Sequence, residues 1–195
     1  MRTIERTLFK FEELNEEQKE RALNDHRHWN VENFEWWDCT FEDAKTIAGL
    51  MGIEIKDIFF SGFWSQGDGA CFTGSFSYNK GMVKKVKEYA PKDERLHRIA
   101  EDIFDLHRRA FYSTYGRISH TGRYCHERSM SVEHYQERGE DIHWKLWEDV
   151  FADFALWIYR RLEEEYEYLT SDEAVEESLI ANEYEFEVDE EGELV

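Results

Sequence analysis

The sequence predicts an α+β fold: a small, mainly antiparallel sheet packed against several helices, in a single domain over residues 1–195. Three observations predict it. Residues 53–78 alternate apolar and polar side chains on both sides of a glycine-rich turn, the pattern of a β-hairpin. Between Asp141 and Tyr168, the residues Trp144, Trp147, Val150, Phe151, Phe154, Ile158 and Leu162 recur every three or four positions, the period of one helix face. No apolar run approaches the ~18 residues of a membrane span.

The elements follow in chain order. Ile4–Phe11 alternates and reads as a first strand. Asn15 with Gln18 three residues on is a capping box, opening a helix to about His28. Trp29–Asp38 reads as a second short helix. Thr40 with Asp43 caps a third, with the stripe Ala44, Ile47, Ala48 and Met51 and with Gly52 as its stop. Ile53–Phe63 and Ala70–Tyr78 are the hairpin strands around the turn Ser65–Gly69. Gly81–Tyr89 is a short helix. Pro91 and Asp93 open a longer one that buries Leu96, Ile99, Ala100, Ile103, Phe104 and Leu106. Tyr112–Tyr135 is poor in helix signals and holds two or three short strands. After the long helix, Ser171 starts another to about Asn182, and Tyr184, Phe186 and Val188 alternate with glutamates as an edge strand. The hairpin and the strands near 115–134 should form the centre of the sheet, with Ile4–Phe11 and Tyr184–Val188 at its edges.

Composition narrows the class. The chain has 24 Lys+Arg against 44 Asp+Glu, a formal net charge of −20. Aromatic residues make up 16%, which argues against disorder despite that charge. From Leu162 to Val195 there are 15 acidic residues and no Lys or Arg, whereas Lys80–Arg128 holds 12 basic against 7 acidic. An acidic surface repels nucleic acid, attracts basic partners and imitates phosphate charge. It also serves simply as a solvated face. Cys39, Cys71 and Cys125 have no CxxC partner and read as small buried hydrophobes in a reducing compartment. The N-terminal residues show no apolar signal core, so a cytoplasmic protein is expected.

Two stretches carry polar chemistry. Phe60–Gly74 holds Gly62, Gly67, Gly69 and Gly74, with Gln66 and Asp68 at the tip and Trp64 beside them. The glycines permit positive φ and close backbone approach, and the aromatics offer stacking surfaces. The same residues also satisfy the geometry of an Asp-Gly turn. Arg117, His120, Arg123, Cys125, His126 and Arg128 lie within twelve residues. Arginines at that density suit an anion. His120 and His126 could approach a metal, although zinc sites usually show tighter spacing. No GxSxG or HExxH motif occurs. Asp149 and Asp153, four apart on the long helix, read as solvated surface, and the stripe Trp144, Trp147, Phe151 and Phe154 as core.

Phe11-Glu-Glu-Leu-Asn-Glu-Glu-Gln with Ala22, then Phe60-Ser-Gly-Phe-Trp-Ser-Gln-Gly-Asp-Gly-Ala, resembles a family of small proteins of tailed bacteriophages and prophages. The similarity continues through Tyr89-Ala-Pro, Leu96-His-Arg-Ile-Ala, Arg123-Tyr and Glu165-Tyr-Glu-Tyr-Leu. Some members carry an antitoxin-like label, and the family has no established activity. The resemblance implies a phage setting inside a bacterial host and a binding role, and it supplies no catalytic residues.

The leading expectation is therefore a phage-type inhibitor or antitoxin that neutralises a basic host-defence or toxin protein, without direct nucleic-acid or membrane binding. A nucleotide or signalling-dinucleotide binder is one alternative, and a metal-dependent hydrolase at His120/His126 another. The candidate binding residues are Trp64, Gln66, Gly67, Asp68, Gly69, Arg117, His120, Arg123 and His126. The candidate acidic surface is Glu163, Glu164, Glu165 and Glu167. No catalytic residue, metal or cofactor is assigned, and a binding role is favoured over catalysis, with the enzyme question left open.

Overall fold

A computed structural model describes residues 7–32, 35–189 and 194. In chain order it contains β1 (Leu8–Lys10), α1 (Glu16–Asp25), α2 (Trp29–Glu32), α3 (Asp38–Leu50), β2 (Ile53–Ser61), β3 (Gly69–Ser77), α4 (Met82–Tyr89), α5 (Glu94–Arg109), β4 (Thr114–His120), β5 (Met130–Gln136), α6 (Trp144–Leu169), α7 (Asp172–Ala181) and β6 (Glu185–Glu187). The fold is α+β, and both of its sheets are antiparallel. None of the described helices is long and apolar enough to cross a membrane. The chain divides into two compact units, Met1–Trp36 with Glu164–Val195, and Trp37–Glu163.

In the first unit, β1 pairs with β6, placing Phe9 opposite Phe186. Phe11, Leu14, Ala22, Val175, Leu179, Phe186 and Leu194 form its core. The Asn15 capping box is present: Asn15 Oδ1 accepts from the Gln18 N–H at 2.9 Å, and Gln18 Oε1 accepts from the Asn15 N–H at 2.9 Å. Ser171 Oγ accepts from the Ala174 N–H and caps α7. Arg27 binds the Asp172 carboxylate at 2.8 Å and the Thr170 carbonyl at 3.0 Å, and Asn30 reaches the Leu169 and Ala174 carbonyls. Two expectations change here. The terminal strands do not edge the larger sheet, because their aromatic residues close a core of their own. The first strand is also short: Phe11 turns into a 3-10 helix, Phe11–Glu13. Ile4–Arg6 lie outside the described residues.

The second unit holds the four-stranded sheet, ordered β2-β3-β4-β5. Direct cross-strand partners share a face. Ile53, Phe76, Gly116 and His134 form one row, and Ile55, Gly74, Ile118 and Val132 the next. This is the core face. Phe72 meets Phe151 and Phe154 edge to face at 6.3 and 5.8 Å, while Phe76 meets Trp147 and Phe151 at 4.8 and 4.9 Å. The opposite face carries the row Glu54, Ser75, Arg117 and Glu133, all exposed. Beside it Tyr115 stacks on Tyr135 at 5.6 Å. Asp93 serves two elements: Oδ1 accepts from the Leu96 N–H at 2.9 Å and caps α5, and Oδ2 accepts from the Trp157 indole N–H at 2.7 Å.

Local expectations are adjusted in this unit as well. Helix α3 starts at Asp38, two residues before Thr40, so Thr40 is no cap, and Asp43 accepts instead from the Tyr89 hydroxyl at 2.6 Å. Gly52 follows the helix with φ +82° as expected. Trp144 is 49% exposed, so the core stripe of α6 begins at Trp147. Phe104 is only half-buried, whereas His107 on the same helix is fully buried. Asp149 is ion-paired with Arg128 and Lys145 rather than simply solvated.

His107 sits among the rings of Phe76, Tyr78 and Trp147, and neither ring nitrogen has a partner among the described residues. Burial pushes its pKa down to about 4. In the unfolded chain it titrates near its ordinary value of about 6.5. The unfolded state therefore binds the extra proton between these values, and stability falls as pH drops through that window. Between pH 7 and 4.5, urea midpoints of the wild type and of His107→Leu should diverge, the wild type losing roughly 2–3 kcal/mol more. Parallel losses in the two proteins would show that His107 is not buried in its neutral form.

Candidate functional site

The β4–β5 connection builds the site. Because His120 pairs with Met130, the chain between them must leave the sheet and return within nine residues. On its way back it crosses the start of β3. Gly69 lets that crossing lie close: a Cβ there would stand 3.1 Å from both the Cys125 carbonyl oxygen and His126 Cα, tight enough that the crossing segment would have to give by a few tenths of an ångström. Of the four glycines in the Phe60–Gly74 stretch, only Gly67 takes positive φ, at +95°. The glycine loop and the 124–127 segment therefore meet, at Gly69 and where Gly67 faces the Tyr124 ring.

This crossing brings Cys71, His120 and Cys125 together, each offering one sulfur or nitrogen ligand atom within 4.8 Å of the others. Cys71 is buried, and His120 and Cys125 are half-buried. Burial pushes the Cys71 thiol up to about 11, and the neighbouring Cys125 adds to the rise, while Ser129 opposes it. Ser129 ties the segment together: its Oγ lies 3.0 Å from His120 Nδ1 and donates to the His126 carbonyl at 2.6 Å. The Phe59 ring packs 5.6 Å from the His120 ring. Arg128 anchors the far side through Asp149 at 2.6 Å.

The expected binding residues separate into groups. Asp68 is committed internally: Oδ2 accepts from the Ser65 and Trp64 N–H groups at 2.7 and 3.1 Å, so it shapes its own loop. Trp64 and Tyr124 flank that loop, 76% and 73% exposed, and Gln66 is exposed at the tip. Arg117 lines a groove on the open sheet face with Glu54, Lys56, Thr73, Ser75 and Ser119, while Arg123 is exposed in the crossing segment. His126 does not join His120 as a ligand: its Nδ1 accepts from the Arg128 N–H at 3.1 Å. The sulfurs of Cys71 and Cys125 lie beside His120 instead. The sequence signal for them was His120-x4-Cys125, but nothing local links that pair to Cys71, since the link is the strand crossing. Cys39 is exposed, so only Cys71 is the buried thiol expected of all three.

The acidic candidates are also divided. Glu163 belongs to the second unit, half-buried, and its carboxylate is paired with Arg160. Glu164 and Glu167 are exposed in the first unit, and Glu165 lines a hollow there with Asn30, Trp36, Tyr168 and Glu177. Glu190, Glu191 and Glu193 lie outside the described residues.

Residues 36–172 match the model of a family described as a domain of unknown function (DUF8835), and the chain belongs to that family. The matched span contains all of Trp37–Glu163, and with it the Cys71/His120/Cys125 group. No curated protein and no solved structure matches the chain.

Substituting Gly69→Ala should force the crossing segment away from β3, costing about 1–3 kcal/mol as overpacking does. Urea unfolding measures the cost, and faster reaction of the Cys71 and Cys125 thiols with an aromatic disulfide reagent reports the opening. Unchanged stability with unchanged thiol reactivity would contradict the close crossing.

Proposed function

We propose that the protein is a phage-type accessory binding protein, an inhibitor or antitoxin that neutralises a basic host-defence or toxin protein in the bacterial cytoplasm. The observation that supports this reading is the partition of charge. Met1–Trp36 with Glu164–Val195 carry 23 acidic against 6 basic residues, a net −17, whereas Trp37–Glu163 carry 21 against 18, a net −3. In the acidic unit, Glu16, Glu17 and Glu20 on α1 and Glu173, Glu176 and Glu177 on α7 are all exposed. Such a surface attracts cationic proteins and competes with nucleic-acid phosphate for them. Isolated surface ion pairs contribute only about 0–1 kcal/mol each, so the array acts as a field rather than as single bonds.

The test uses tagged protein as bait in bacterial lysate at about 50 mM salt, followed by elution at about 500 mM, where the screening length is severalfold shorter. A basic, nucleic-acid-binding protein should be retained at low salt, released at high salt and displaced by duplex DNA. Its own activity should fall when the purified chain is added. Replacing Glu173, Glu176 and Glu177 together with Gln should slow association and leave the thermal unfolding of the chain intact. An affinity equal at both salt concentrations would overturn the reading.

A further inference from the structure

We propose that Cys71, His120 and Cys125 form a binding site for a thiophilic divalent cation of the Zn2+ type, with three protein ligands and a fourth position open to water. Two stretches that are distant in sequence converge on it: β3, and the end of β4 with the crossing segment that follows it. Their ligand atoms lie within 4.8 Å of one another. Tetrahedral zinc, with Zn–S near 2.3 Å and Zn–N near 2.0–2.1 Å, separates its ligand atoms by about 3.3–3.8 Å. The three side chains therefore reach ligation distance by closing about 1 Å, without rearranging the strands.

The donor set selects the ion. Two sulfurs and one imidazole favour Zn2+ over Mg2+ or Ca2+, which take oxygen ligands. The surroundings fit a ligand histidine as well: Ser129 Oγ at 3.0 Å and the Ser129 carbonyl at 3.3 Å hold His120 Nδ1, and Phe59 packs against its ring. Ligand histidines are oriented by such outer contacts. Among the described residues no fourth His, Cys, Asp or Glu joins the group. Three protein ligands leave a coordination position that water or an external group can take.

The consequence is local. The ion would fasten the crossing segment to β3, joining residues 71 and 125 across a loop that otherwise depends on the Gly69 contact and the Ser129 bonds. The site lies in the unit that carries little net charge and uses none of the acidic residues named in the binding reading above.

The experiment uses the full chain, purified under reducing conditions and incubated with Zn2+ or Co2+, then desalted. About one zinc per chain should be retained by elemental analysis. The cobalt form should show thiolate-to-metal charge transfer and the strong visible bands of a tetrahedral site. Cys71→Ser, Cys125→Ser and His120→Ala should each abolish stoichiometric retention, and Ser129→Ala should weaken it about 10–100-fold. Cys39→Ser and His126→Ala should retain the metal. Where Cys71→Ser fails to fold, protection of the wild-type thiols from maleimide by added Zn2+ gives the same answer. Failure to retain either metal, retention by both His120→Ala and Cys125→Ser, or a Cys71–Cys125 disulfide that persists in reductant would overturn the proposal.

Discussion

The larger unit depends on how Phe72 and Phe76 of β3 lock into Trp147, Phe151 and Phe154 of α6. All five rings are buried, and edge-to-face or offset pairs add about 0.5–1.5 kcal/mol each beyond the area they bury. Once the helix is seated there, the core face of the sheet is decided. By alternation β3 must then turn Cys71, Thr73 and Ser75 the other way. The registers of β2 and β4 against β3 set which polar side chains share a row, and the β4–β5 pairing sets where the connecting segment comes back. The side to which Cys71 turns thus follows from an aromatic contact on the opposite side of the strand, and His120 and Cys125 meet it where β4 ends and the chain crosses back.

The hairpin, the long helix, the Asn15 and Ser171 caps and the Asp93 helix start were legible because each is encoded within a few consecutive residues. What was not legible depends on pairing between distant segments. Tyr184, Phe186 and Val188 alternate as a strand should, yet the pattern does not say which strand lies beside it, and β1 rather than the main sheet does. Thr40 and Asp43 have cap spacing, but Asp43 is taken by Tyr89 from another helix. His107 is not among the α5 residues expected to be buried, and only the packed rings around it show that it is interior.

The candidate site divided along the same line. The Phe60–Gly74 stretch stood out through its composition, and Asp68 proved to organise its own turn. His120 stood out together with His126, although the crossing supplies it with Cys71 and Cys125 as neighbours. The acidic surface was the easiest feature to read, since net charge needs no fold. Its division between two units, with Glu163 neutralised by Arg160, required coordinates.

One carboxylate links two helices of the larger unit. Asp93 holds the first turn of α5 through the Leu96 amide and the Trp157 indole of α6 through its other oxygen. A displacement of Asp93 therefore loosens the α5 start and Trp157 together. A helix end that would otherwise open on its own is tied to the core of α6, which raises the cost of local opening there.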